Sequence, residues 1–183
     1  MKEAALYWLR YEKQMTHICT EFGRWSADVA GACKTRMVEI EVKTHHSDLR
    51  RDHKKYKHRS YDGDHPQEDV PNYFFFLVPP FLEQQAIEVA AAINPKYGVL
   101  IYDPLLDSWQ SRHRVAKRSA RLHPRPPSER IFERMAARMS TEIVAAHALK
   151  WRLHEMSTRM SDELKNRFVP TEETAAIWSE DEM

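Results

Sequence analysis

Val38-Glu39-Ile40-Glu41-Val42-Lys43 alternates apolar and charged residues at a period of two. Successive side chains of a β-strand point to opposite faces, so Val38, Ile40 and Val42 share one face and Glu39, Glu41 and Lys43 the other. The segments just before it read the same way. Ile18-Cys19-Thr20-Glu21-Phe22 and Ala27-Asp28-Val29-Ala30 are two further short strands, with turns near Gly23 and Lys34-Thr35. Antiparallel pairing about Lys34-Thr35 brings Asp28 close to Glu41. Two carboxylates and an ammonium then converge on one patch of sheet.

Working outward, the residues before Gly23 contain no proline or glycine, and Leu6, Leu9 and Lys13 step along one side of a predicted helix. After the strand, a charged helix is expected from Ser47 to Arg59, with Ser47 as N-cap and Asp48 in its first turn. Tyr61-Asp62-Gly63-Asp64-His65-Pro66 has the composition of a loop. Tyr73 to Val78 is a continuous apolar run between Pro71 and Pro79-Pro80, as expected of a central strand covered on both faces. Phe81 to Ile93 reads as a helix stopped by Asn94-Pro95, and Tyr97 to Asp103 as a second buried strand. The order helix, three strands, helix, strand, helix, strand predicts an α/β fold with a mixed sheet.

Beyond residue 105 the chain is more basic, with Arg112, Arg114, Lys117, Arg118, Arg121 and Arg125 and one short strand near Arg114 to Lys117. Pro124, Pro126 and Pro127 interrupt it. Ser128 then caps a helix to about His147 with the stripe Ile131, Met135, Met139, Ile143 and Ala146, and a second helical stretch reaches Asn166. The acidic tail from Thr171 is expected to be disordered. The predicted organisation is a core over 1–120, a helical extension over 121–170 and a tail over 171–183. No internal repeat is visible.

With 183 residues, 42% of them apolar, the chain has enough material for one real core. Its 28 basic and 27 acidic residues nearly cancel, which excludes a disordered polyelectrolyte and a globally basic DNA coat. Four glycines and no G-x-G-x-x-G or phosphate-loop motif argue against a glycine-rich nucleotide fold. Cys19 and Cys33 alone make neither a disulfide framework nor a zinc ribbon, which suits a reducing compartment. Apolar runs are far short of the roughly 20 residues that cross a bilayer, and no secretory leader follows Met1. The expectation is a cytoplasmic protein without a membrane partner.

The Asp28, Glu41 and Lys43 group suits phosphodiester hydrolysis. Hard oxygens from Asp28 and Glu41, with the Val42 carbonyl, are Mg²⁺ or Mn²⁺ donors. Such an ion lowers the pKa of a bound water and neutralises developing charge, while Lys43 orients the water or stabilises the anion.

Asp28 followed by Glu41-Val42-Lys43 resembles the D…(D/E)-x-K signature of the PD-(D/E)XK nuclease superfamily. The string from Val38 to Lys43, then Ser47-Asp48-Leu49-Arg50-Arg51-Asp52-His53-Lys54-Lys55-Tyr56, is similar to a segment of the MmcB-like DNA repair endonucleases. Ala27-Asp28-Val29, the strand Tyr73 to Pro80 and Tyr97-Gly98-Val99-Leu100-Ile101-Tyr102-Asp103 resemble other parts of that family. The resemblance covers about residues 18 to 145, more loosely after 105. It implies a restriction-endonuclease-like fold, catalytic Asp28, Glu41 and Lys43, a Mg²⁺ or Mn²⁺ cofactor, and DNA as substrate in repair or recombination. A carboxylate from the first helix often completes such a site; Glu12 is the candidate, with Glu3 and Glu21 as rivals. Arg24-Trp25-Ser26 in place of a double arginine, a longer Tyr61 to Asn72 insertion, and Lys55 where an aromatic is common depart from the pattern and bear on substrate preference.

Arg50, Arg51, Lys54, Lys55, Lys57 and Arg59 are candidates for contacting DNA phosphates. The bland reading is a solvated helix face, just as Glu39, Glu41 and Lys43 can be a solvated sheet face with cross-strand ion pairs. Asp52 and Lys55 are placed to face the site from behind. His45 and His46 lack zinc-site spacing and read as surface residues. Two other classes compete with an enzyme. One is a catalytically inactive nucleic-acid-binding module on the same fold; the other is an interaction adaptor using the C-terminal helices, for which a homodimer is one arrangement.

Overall fold

The strands β1 (His17–Phe22), β2 (Ala27–Cys33) and β3 (Arg36–Val42) form an antiparallel meander. In this computed structural model, which describes residues 1–24, 26–61, 70–108 and 112–167 with side chains through 164, β4 (Tyr73–Val78) pairs parallel to β3. β5 (Gly98–Tyr102) continues parallel, and β6 (His113–Lys117) closes the edge antiparallel. The result is a six-stranded mixed sheet in the order β1-β2-β3-β4-β5-β6. The change from antiparallel to parallel at β3 follows from the connections. Lys34-Thr35 permits only a hairpin, whereas the chain between β3 and β4 is long enough for a helical crossover.

The period of two in β3 separates the layers as the sequence predicts. Val38 and Ile40 pack with Trp8, Leu9, Met15, Phe75 and Leu77 on one face. The covering segment there is α1 (Lys2–Tyr7), which runs into a π-helical turn at Trp8–Glu12 instead of one uninterrupted helix. It approaches closely because Gly31 of β2 has no side chain: a Cβ there would lie 3.1 Å from Leu9 Cδ1 and from Met15 Cγ. On the opposite face Phe74, Phe76, Val99 and Ile101 pack with Leu49, Leu82, Ala86 and Ala90. A third cluster joins Cys19, Phe22, Ala30 and Ala32 to Ile131 and Met135.

The expected helix over Ser47 to Arg59 is three pieces: α2 (His46–Arg51), a 3₁₀ turn at Asp52–Lys54, and α3 (Tyr56–Tyr61). Lys55 between them is extended, at φ −68° and ψ 130°. α2 begins one residue before Ser47, and its N-cap position is His45. The helix after β4 is a 3₁₀ turn at Pro80–Leu82 followed by α4 (Glu83–Ile93). α5 (Glu129–Arg167) is one helix rather than two, and Ser128 serves its start through its carbonyl, which accepts the Ile131 N–H at 3.0 Å.

The chain divides into two compact units, Met1–Ser140 and Thr141–Met183. The first extends past the predicted boundary at 120 because Ile131 and Met135 belong to the sheet's core. In the second, the described residues are helical, and Ile143, Val144, Leu149, Trp151 and Leu153 are exposed. The predicted loop after Tyr61, Trp25 and the acidic tail from Thr171 lie outside the described residues. Among the described residues no helix is long and apolar enough to cross a membrane.

Candidate active site

One step beyond the paired residues Val29 and Ile40, Asp28 stands opposite Glu41 at the end of the β2–β3 hairpin. The Val42 N–H donates to Asp28 Oδ2 at 2.8 Å, so Asp28 is fixed to the backbone between Glu41 and Lys43. Its other oxygen, Oδ1, lies 3.1 Å from Lys2 Nζ, and Lys2 also binds Glu21. The Asp28 side chain keeps 23% of its surface exposed.

Glu39, Glu41 and Lys43 share a face, but it is not solvated: each is at most 3% exposed. Glu41 receives the ammonium groups of Lys43 at 3.1 Å, Lys57 at 2.5 Å and Lys55. Lys57 also holds Glu39 at 2.9 Å, and the Tyr61 hydroxyl donates to Glu39 at 2.6 Å. Asp52 binds Lys43 at 2.8 Å and Lys55 at 3.0 Å. Its second oxygen lies 2.7 Å from His58 Nε2. A carboxylate only accepts, so Nε2 carries a hydrogen, and Nδ1 shares a hydrogen bond with the Tyr97 hydroxyl at 2.9 Å. Three carboxylates therefore balance three ammonium groups beneath α2 and α3.

Burial works against every charge here, and the partners win. It would raise the Glu41 carboxyl, yet Lys57 and Lys55 hold it below the ordinary range despite repulsion from Asp52. It would likewise raise Asp52, which hydrogen bonds from His58 and Lys43 bring well below normal. Lys43 and Lys57 are disfavoured by burial but raised by Asp52 and Glu41, and by Glu39 and Glu41. The sign of the pH dependence follows. Depressed carboxyls contribute stability that is full above the unfolded value near pH ~4 and lost as pH falls. Raised ammonium groups contribute stability that is full below about pH 10.4 and lost as pH rises through their folded values. Melting temperature measured by circular dichroism should therefore stay flat from about pH 5 to 10 and fall on both sides. Asp52→Asn should make the acid limb shallower.

The remaining predicted residues are distributed differently. Arg50, Arg51, Lys54 and Arg59 are exposed, and Arg50, Arg51 and Lys54 border a surface hollow of about 450 Å³ with His46, Ser47 and His53. Lys55 is half-exposed above Glu41 and Asp52. Lys57 is corrected from a phosphate contact to a buried counter-ion, 2% exposed and committed to Glu39 and Glu41. Glu12 is not brought to Asp28 or Glu41. It ends the π-helical turn and lies 3.5 Å from His113 of β6, where burial pushes its carboxyl up against the pull of His113 and Lys13. Of its rivals, Glu3 binds the N-terminal amine, and Glu21 shares Lys2 with Asp28.

Asp28, Glu41 and the Val42 carbonyl are an all-oxygen donor set for a hard divalent cation. Among the described residues no group of three or more His, Cys, Asp or Glu surrounds a common point. Of the ammonium groups on Asp28 and Glu41, Lys2 and Lys55 are 38% and 42% exposed and can withdraw into solvent without repacking the core. Lys43 and Lys57 are buried and stay on Glu41, so the oxygens left for a cation such as Mg²⁺ or Mn²⁺, which retains several waters, are those on the Asp28 and Lys55 side. No family model, curated protein or solved structure matches the chain.

Proposed function

We propose that the chain is a metal-dependent deoxyribonuclease with a restriction-endonuclease-like core of the PD-(D/E)XK type, acting in DNA repair or recombination. The observation that carries this reading is the Asp28 carboxylate bonded to the Val42 N–H and opposite Glu41 on the paired strand. Buried ionic clusters are expensive to fold, and apolar residues of similar volume often stabilise as well or better. A cluster kept at a sheet end, with several pKa values displaced, is what a catalytic site requires. Asp28 and Glu41, with the Val42 carbonyl, would hold Mg²⁺ or Mn²⁺; the bound ion supplies an acidified water and neutralises charge on the phosphate. Lys43, buried and fixed by Asp52 and Glu41, would meet the attacked phosphate or the water once bound metal and substrate draw it from these carboxylates. Arg50, Arg51, Lys54 and Arg59 supply exposed positive charge for the flanking backbone.

A second reading, a nucleic-acid-binding module without cleavage, is favoured by one fact. Glu41 is already neutralised by three lysines, so the cluster does not need a cation for charge balance. One assay separates the two. Supercoiled plasmid and linear, branched and single-stranded DNA are incubated with wild-type protein and Mg²⁺ or Mn²⁺. The nuclease reading expects cleavage that EDTA stops and that Asp28→Ala and Glu41→Gln abolish. Salt-sensitive DNA binding without any cleavage would establish the binding module instead.

A further inference from the structure

Asp28 has a carboxylate on each side of it in the sheet. Thr20 pairs with Val29 and Phe22 with Ala27, so Glu21 of β1 stands across from Asp28, as Glu41 of β3 does on the other side. Glu21, Asp28 and Glu41 therefore form one row across three strands. Like charges directly opposite on neighbouring strands repel, and a cation between them relieves the repulsion. Between Glu21 and Asp28 that cation is Lys2. Its Nζ lies 3.1 Å from Asp28 Oδ1 and also binds Glu21 Oε1.

The turn that presents Glu21 is strained. Glu21 and Ser26 both have left-handed backbones, at φ 49° and 51°, which residues with a Cβ rarely adopt. Such conformations persist where surrounding contacts over-determine them. Here Ser26 Oγ donates to Glu21 Oε2 at 2.7 Å, so the two strained residues brace each other and leave Oε1 for Lys2. Lys2 is thus gripped from both strands. It nevertheless differs from the other ammonium groups near the row. Lys43 and Lys57 are buried, and Lys55 is shared with buried Asp52. Lys2 is half-exposed, and solvent reaches both of its carboxylates. Its helix is seated without it, through Ala5, Trp8 and Leu9 in the core. The Lys2 side chain can therefore swing into water while α1 stays in place.

We propose that the Lys2 ammonium is a built-in competitor of the divalent cation: it covers Asp28 Oδ1 until the metal takes that oxygen, and then leaves for solvent. The inference rests on the metal reading of Asp28 and adds which group the ion must displace. Asp28 Oδ2 is committed to the Val42 N–H, so Oδ1 is the oxygen for which ammonium and metal compete. A hard dication needs a carboxylate oxygen in direct contact, and a charged ammonium beside the same oxygen repels it. Lys2 therefore lowers metal affinity, and Glu21, by gripping Lys2, strengthens the competition.

Isothermal titration of the full chain with Mn²⁺ tests it. Lys2→Met should bind Mn²⁺ about three- to fivefold more tightly than wild type, the scale of one exposed ion pair. Lys2→Arg keeps a cation on both carboxylates and should bind no more tightly than wild type. Lys34, exposed in the turn between β2 and β3, controls for net charge, and Lys34→Met should change the affinity by less than about 1.5-fold. A second readout follows the side chain itself. Acetylation of Lys2 by trace acetic anhydride, measured by mass spectrometry relative to Lys34, should rise when Mg²⁺ is added to wild type and stay constant in Asp28→Ala. Mn²⁺ binding that Asp28→Ala abolishes but Lys2→Met leaves unchanged would overturn this inference alone. Equal tightening in Lys34→Met, or Lys2 labelling that ignores Mg²⁺, would do the same. Absence of Mn²⁺ binding in both wild type and Lys2→Met would overturn it together with the metal reading.

Discussion

Lys57→Met should cost about 3–5 kcal/mol of unfolding free energy in urea titration, the loss typical when one partner of a buried ionic cluster is removed. Lys57 Nζ sits between Glu39 and Glu41, at 2.9 and 2.5 Å, and its side chain is 2% exposed. Without it, two carboxylates on one face of β3 confront each other with little water to screen them. Lys43 and Lys55 still serve Glu41, but Glu39 is left with the Tyr61 hydroxyl. The penalty therefore falls mainly on Glu39. The double variant Lys57→Met, Glu39→Gln should recover a large part of the loss, because the stranded charge goes with its partner. Lys55→Met is the contrasting control. Its ammonium is 42% exposed, and screening limits the expected loss to roughly 1 kcal/mol or less. A loss below 1 kcal/mol for Lys57→Met would mean that water reaches this cluster readily.

This contrast also shows what could be read in the residues beforehand. The alternation from Val38 to Lys43 assigned two faces to β3, and the apolar runs at Tyr73 and Tyr97 located two buried strands, because both patterns follow directly from strand geometry. Alternation does not say whether a polar face meets water or another polar layer. That was decided by the break at Lys55, whose extended ψ of 130° turns α3 so that Lys57, His58 and Tyr61 point inward. Read as one helix over Ser47 to Arg59, the same lysine falls among solvated neighbours. No proline or glycine marks the break in the sequence, so local propensity gave no sign of it. Asp52 was visible as a residue behind the site, but His58 and Tyr97 were not: 39 positions separate them, and only the fold brings imidazole and phenol together. Glu12 enters as the first-helix carboxylate that the family resemblance implies, and the π-helical turn sends it instead to His113 of β6.

A large kinetic effect short of abolition should come from Lys43. If the proposed cleavage is measured with Mn²⁺ under single-turnover conditions, Lys43→Met should lower the rate constant by about 10²–10³-fold, the scale for losing one preorganised charge aimed at a developing oxyanion. Preorganisation is the reason for so large a figure. Lys43 Nζ is held by Asp52 at 2.8 Å and Glu41 at 3.1 Å, with Asp48 at 3.4 Å, so its position is fixed before any substrate binds. Asp52 is in turn oriented by His58. Asp52→Asn keeps Lys43 in place with one charged anchor fewer, so a smaller loss of about tenfold is expected, in the rate constant and not in DNA affinity. Lys43→Arg preserves the charge but not the shape, and should fall between wild type and methionine. Near-UV circular dichroism at the assay temperature checks that each variant is folded, since Lys43→Met also removes a buried counter-ion. DNA affinity measured by anisotropy in Ca²⁺ separates the roles further: Lys43→Met should change it less than threefold, whereas the pair Arg50→Ala, Arg51→Ala should weaken it and reduce its salt dependence. Cleavage in Lys43→Met within threefold of wild type would remove Lys43 from the chemistry and leave it as a structural counter-ion for Glu41 and Asp52.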